Sequence, residues 1–194
     1  MAPAAQGAAK QVILVVGDSL SAEYGLERGK GWVALLDQRL VQDKRLATVI
    51  NASISGDTTS GGRSRLPALL KQHQPTIVII ELGGNDALRG LPLNSTRDNL
   101  LAMTRAAKAA GAQVLVVGMQ VPPNYGRQYS DDFAALFANV AKTENAALVP
   151  FLLKGVADVP NFESLFQADR IHPKEQAHPT MLANVWVGLK PLLR

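Results

Sequence analysis

Five runs of apolar, largely β-branched residues punctuate the chain: VILVV at 12–16, ATVINA at 47–52, TIVIIEL at 76–82, QVLVVG at 113–118 and AALVPF at 146–151. Their hydrophobicity is continuous rather than alternating. Short continuous runs of this kind are the pattern of strands covered on both faces, as in a parallel sheet. Between them the apolar spacing lengthens to the helical period. Val33, Leu36 and Leu40 make one stripe in WVALLDQRLVQ at 32–42, and Leu66 with Leu69 or Leu70 makes another in SRLPALLKQH near 64–73. Further helices are predicted at about 95–110, 131–145 and 176–190.

Strands that alternate with helices give an α/β fold of three α/β/α layers, because parallel neighbours need crossover connections and these are right-handed. Five strands point to a flavodoxin-like parallel sheet in the order 2-1-3-4-5. In such sheets, binding sites collect beyond the carboxyl ends of the strands. That selects five loops for inspection: GDSLSAEYG after the first strand, SISGDTTSGG after the second, GGNDALRG after the third, MQVPPNYGRQY after the fourth, and the segment after the fifth that contains ADRIHP.

Composition narrows the picture further. A chain of 194 residues, 47% of them hydrophobic, suits one sizeable core, so 11–194 is expected to form one domain after a flexible segment 1–10, MAPAAQGAAK. The net charge is +4, but 20 basic residues are interleaved with 16 acidic ones and aromatics make up only 5%, so a nucleic-acid partner is not expected. With no cysteine there is no disulfide, thiol nucleophile or thiolate metal site. The apolar runs fall far short of the roughly 20 residues that span a bilayer, so no stable membrane insertion is expected. No signal peptide is evident, although the Ala/Pro-rich start resembles what remains after an Ala-x-Ala cleavage.

Ser19, just past the first strand, has two readings: a turn or cap serine, or a nucleophile if a base takes its proton. Of the three histidines, His73 belongs to the end of a helix at the opposite edge of the sheet, and His178 opens the last helix and is expected to face solvent. His172 alone is expected at the strand-end edge. Asp169, three residues earlier, suits a carboxylate that fixes the imidazole tautomer, although D-x-x-H is a weak pattern by itself. Gly56 and Asn85, after the second and third strands, are candidate donors to an oxyanion, or else ordinary turn residues. Asp18, Asp57 and Asp86 adjoin strand ends, where Asp caps turns and helices; their spacing does not suggest a metal site. Leu88, Leu91, Pro122, Pro123 and Tyr125 are candidate walls for an apolar substrate group.

Taken together, GDSL at 17–20, SGDT at 55–58, GGND at 83–86 and DRIHP at 169–173 resemble the blocks of the SGNH family of GDSL esterases and lipases, in order and over nearly the whole chain. No G-x-S-x-G occurs, so the α/β-hydrolase fold is not expected. The resemblance implies Ser19 as nucleophile, His172 as base, Asp169 as its partner, and an oxyanion hole made from the Ser19 and Gly56 N–H groups and the Asn85 side chain. Within the family, VVGDSLSAEYG, NASISGDT, IIELGGNDALRG and GMQVPPNYG are most similar to a bacterial periplasmic branch of thioesterases, lysophospholipases and arylesterases. It implies an exported monomer, periplasmic or secreted, that hydrolyses small acyl esters, thioesters or lysophospholipids without cofactor or metal. One departure is Arg170, where relatives often have Gly, which implies altered loop packing or mouth charge. Carbohydrate deacetylation by the same triad, or a non-catalytic flavodoxin-like ligand carrier, are the alternatives.

Overall fold

The computed structural model describes residues 10–194, so the expected flexible segment lies outside the described residues except for Lys10. Five parallel strands form one sheet: β1 (Gln11–Gly17), β2 (Ala47–Asn51), β3 (Ile77–Glu81), β4 (Gln113–Val117) and β5 (Ala147–Val149), in the order β2-β1-β3-β4-β5. This is the expected order. Ile13 to Val16 and Ile77 to Ile80 are wholly buried, the outcome their unbroken hydrophobicity requires of central strands with helices on both faces. Each such Val or Ile contributes on the order of 1.5–3 kcal/mol by leaving water.

Six α-helices complete the layers: α1 (Trp32–Gln42), α2 (Thr59–His73), α3 (Gly84–Leu88), α4 (Leu93–Ala109), α5 (Arg127–Thr143) and α6 (His178–Leu189). α1 packs beside α6, whereas α2, α4 and α5 form a second contiguous set. The stripe predicted for α1 is the buried one, with Val33, Leu36 and Leu40 joined by Trp32.

Two helical details depart from expectation. α2 begins at Thr59, five residues before the predicted start, with Thr58 as its cap accepting from the Gly61 N–H at 3.3 Å. The poor helix former Gly62 hides this turn from periodicity. It is required because a Cβ there would lie 2.3 Å from Leu82 Cδ1. α3 was not expected at all, being a single turn too short to carry a period.

The parallel arrangement brings the carboxyl ends of all five strands to one edge. The chain passes from β1 to β2 on one side and from β3 to β4 and β5 on the other, so the strand order reverses between β1 and β3. Such switch points open a crevice. Gly17 and Glu81, the last residues of the two strands, are register partners there. Among the described residues no helix is long and apolar enough to cross a membrane.

Candidate active site

β1 ends in a tight turn. The Ser21 and Ala22 N–H groups both donate to the Asp18 carbonyl, at 3.2 and 2.9 Å, and the Leu20 N–H donates to Asp18 Oδ1 at 3.0 Å. Asp18 is therefore the residue that caps this turn. The Ser19 hydroxyl takes no part in the turn and stands at the strand end. Gly17 cannot be larger, since a Cβ would meet Ser21 Oγ at 2.7 Å and Ser53 Oγ at 2.9 Å.

The loop between β5 and α6 brings the imidazole to that hydroxyl. His172 Nε2 lies 2.8 Å from Ser19 Oγ, and His172 Nδ1 lies 2.6 Å from Asp169 Oδ2. The other Asp169 oxygen accepts from the Ile171 and His172 N–H groups at 2.9 and 3.0 Å. Partial burial raises the Asp169 carboxyl, but the backbone and side-chain hydrogen bonds from His172, with that from Ile171, outweigh it and lower its pKa to about 2. A carboxylate so held stays ionised at neutral pH and favours the tautomer with hydrogen on Nδ1, leaving Nε2 to accept from the serine.

Side chains secure this surface loop. Gln167 N–H donates to the His172 carbonyl at 2.8 Å, and Gln167 Nε2 reaches the Tyr24 carbonyl at 2.9 Å and the Pro173 carbonyl at 3.2 Å. The Tyr24 ring lies 4.2 Å from the imidazole, centre to centre. Arg170 adopts a left-handed φ of +58° and pairs with Glu163 at 3.6 Å across exposed surface. Glycine adopts this conformation more easily, which gives the departure at position 170 its physical meaning.

Three further donors gather at the same edge. Among the described residues, neither the Ser19 nor the Gly56 backbone N–H is given to a protein acceptor. Gly56 has φ +78°, which accounts for a glycine there. The Asn85 amide is differently placed from a pair of open donors. Its nitrogen donates both to the Asp57 carbonyl at 2.9 Å and to Asp18 Oδ2 at 3.0 Å. One hydrogen fixes the side chain to the Gly56 loop, and the other is shared with a carboxylate that an oxyanion would have to displace.

Below the turn, Glu81 is fully buried; its Oε2 accepts from Ser21 Oγ at 2.6 Å, while Oε1 has no partner. Burial, reinforced by the neighbouring Asp18 charge, holds the Glu81 carboxyl well above the usual range. Burial likewise raises Asp18, to about 6, against the Leu20 N–H bond that lowers it. Asp57 pairs with Arg65 at 2.8 Å. Asp86 binds the start of α2, accepting from Thr59 N–H at 2.9 Å and Thr59 Oγ1 at 2.5 Å, and from Thr96 Oγ1 at 3.1 Å. All three aspartates at strand ends thus serve local structure. Among the described residues no group of three or more His, Asp or Glu side chains is arranged to hold a metal ion.

The remaining expectations divide. His73 lies in the last turn of α2, at the far edge, as read from the sequence. His178 contradicts its reading: it is buried rather than facing solvent, its Nδ1 accepts from the Trp32 N–H at 3.0 Å, and burial lowers its pKa. Position at a helix start does not reveal that α1 packs over it. Leu88 is half exposed, Tyr125 and Pro122 lie at the surface, and Leu91 is half-buried. Sequence reasoning missed Tyr24, Arg65 and Glu81. Only Glu81 carried a signal, as the lone acid inside TIVIIEL.

Known proteins resemble this chain over most of its length. The chain is 52% identical over 188 residues to esterase TesA of Pseudomonas aeruginosa, covering 97% of this chain and 92% of that protein. It is 42% identical over 188 residues to thioesterase 1/protease 1/lysophospholipase L1 of Escherichia coli K12, covering 97% and 88%. The crystal structure of the psychrotrophic esterase EstA from Pseudoalteromonas sp., inhibited by monoethylphosphonate, has a TM-score of 0.87 at 39% identity, covering 93% of this chain and 97% of that one. Residues 15–179 match the model of the GDSL-like lipase/acylhydrolase family, and the chain belongs to that family.

Proposed function

We propose that this protein is a serine esterase that hydrolyses small acyl esters and thioesters, lysophospholipids among them, through an acyl-enzyme. The observation that carries the reading is the continuous chain of contacts from Ser19 Oγ to His172 at 2.8 Å and from His172 to Asp169 at 2.6 Å. Names borne by the relatives, esterase and thioesterase/lysophospholipase, support the substrate class.

In this reading His172 Nε2 takes the serine proton as Oγ attacks the acyl carbonyl. Asp169 stabilises the imidazolium that results. The carbonyl oxygen becomes an oxyanion and is met by the Ser19 and Gly56 N–H groups and by the Asn85 hydrogen now shared with Asp18. Collapse expels the alcohol or thiol, which receives the proton from His172. Water, activated by the same imidazole, then attacks the acyl-enzyme and frees Ser19.

Leu88, Leu91, Pro122 and Tyr125 surround the mouth in this proposal and hold the acyl chain. Action as an exported monomer, without cofactor, completes it. A fluorophosphonate probe tests the reading: the phosphonyl group is expected on Ser19, located by mass spectrometry, and ester turnover should vanish with the label in Ser19→Ala. A folded protein that takes no label, or a Ser19→Ala variant that keeps its rate, would overturn it.

A further inference from the structure

Arg65 lies in the second turn of α2, outside the strand-end loops, yet its side chain is only 20% exposed and its partner Asp57 only 12%. Its guanidinium is attached at three places. Nε donates to Asp57 Oδ2 at 2.8 Å, Nη1 to the Ala52 carbonyl and Nη2 to the Gly17 carbonyl at 3.4 Å. Gly17 ends β1 two residues before Ser19. Ala52 is the first residue after β2. Asp57 follows Gly56, and its own carbonyl is the acceptor that fixes the Asn85 amide.

Backbone pairing alone does not hold this region. The bonds joining the first two strands end with Ile54 N–H donating to the Gly17 carbonyl at 3.0 Å. Beyond it, the 55–58 loop has a backbone bond at each end, Asp57 N–H to the Ile54 carbonyl at 3.1 Å and Gly62 N–H to the Thr58 carbonyl at 3.0 Å, and between them it is held by side chains from α2 and from the segment after β3. A planar fork can bind a carboxylate and two carbonyls at fixed angles; a lysine ammonium on a flexible stem cannot reproduce that set.

We propose that Arg65 is a positioning residue for the oxyanion hole, holding the Ser19, Gly56 and Asn85 donors in register with one another from beneath. The inference rests on the reading of those three groups as oxyanion donors and extends it to the part that sets their spacing. Because the donors act on charge that develops after the ester is bound, misplacing them lowers kcat and leaves KM nearly unchanged.

The test compares native protein, Ser19→Ala, Arg65→Lys and Arg65→Ala with an aryl ester, alongside thermal unfolding. Arg65→Lys is expected to lose about tenfold or more in kcat, with KM within about threefold of native. Arg65→Ala is expected to lose roughly 10²-fold, the scale of small misplacements at a reacting centre, and to regain part of that rate when guanidinium ion is added. Full turnover by folded Arg65→Lys would overturn the proposal, and so would a folded Arg65→Ala that guanidinium does not reactivate. Should Arg65→Ala fail to fold, the lysine variant decides. An inactive Ser19→Ala beside a fully active Arg65→Lys would remove only the role of Arg65, whereas an active Ser19→Ala would remove the esterase reading itself.

Discussion

The turn at 17–21 grows out of a strand whose residues 13–16 are wholly buried, while the loop at 167–173 runs over the surface, tied down by its own side chains. Each carries one aspartate, and the two titrate in opposite senses. Burial lifts the Asp18 carboxyl to about 6, whereas at Asp169 desolvation is outweighed by the hydrogen bonds from His172 and Ile171 together, which take it to about 2. Residue type is the same; surroundings decide the pKa. The exposed loop holds an anion beside the imidazole, and the buried turn presents N–H groups over a layer in which burial favours the neutral form of its carboxyl groups.

The contrast is broken most severely at Asp169. Asp169→Asn should keep the bonds from Ile171 and His172 N–H to one oxygen but present an amide donor to Nδ1, forcing hydrogen onto Nε2. Turnover is expected to fall by about 10⁴-fold with little change in fold, the scale seen when a triad imidazole is held in the wrong tautomer. A loss under about tenfold, measured with the same ester, would mean that the imidazole needs no carboxylate partner.

A smaller effect sharpens the buried side. Above the pH at which an unfolded glutamate ionises, near about 4.3, the unfolded chain releases the Glu81 proton and the folded chain keeps it. Native stability attributable to Glu81 is therefore greatest in acid and is lost as pH rises toward its raised folded pKa. Glu81→Gln removes this dependence, so its unfolding temperature relative to native should climb by a few degrees between about pH 4 and pH 8. A difference that stays constant with pH would show that Glu81 ionises as freely in the fold as outside it.

The smallest expected change concerns the exposed loop. Arg170→Gly relieves a left-handed backbone that costs a side-chain-bearing residue about 1 kcal/mol, at the loss of an exposed ion pair worth less than that. Unfolding should shift upward by about 2 °C, with turnover within about threefold of native. A lower unfolding temperature would assign Arg170 a stabilising contact beyond Glu163.

How much of this could be read from residues alone depends on range. The strands, their order and the edge that gathers the loops follow from runs such as VILVV and TIVIIEL, because burial on both faces leaves a local mark. Ser19, Gly56, Asn85, Asp169 and His172 were found in the loops the topology selects. Their distances, and the Asn85 hydrogen shared with Asp18, were not legible, since they depend on how loops 153 positions apart in the chain settle together. Arg65 reads as an ordinary position in a helix; that its guanidinium reaches the carbonyls at the ends of the first two strands depends on how α2 packs beside β1. His178 shows the converse error, a polar residue at a helix start covered by a helix from the other end of the chain.

The span between Ser19 and His172 also bears on biosynthesis. The hydroxyl leaves the ribosome 153 residues ahead of its imidazole. In the proposed reaction a growing chain holding only the early segments has no imidazole to draw a proton from that hydroxyl, so an ester that meets it is not cut until synthesis has passed position 172. Hydrolysis by the proposed route would in this sense report that the turn after β1 and the loop after β5 have met.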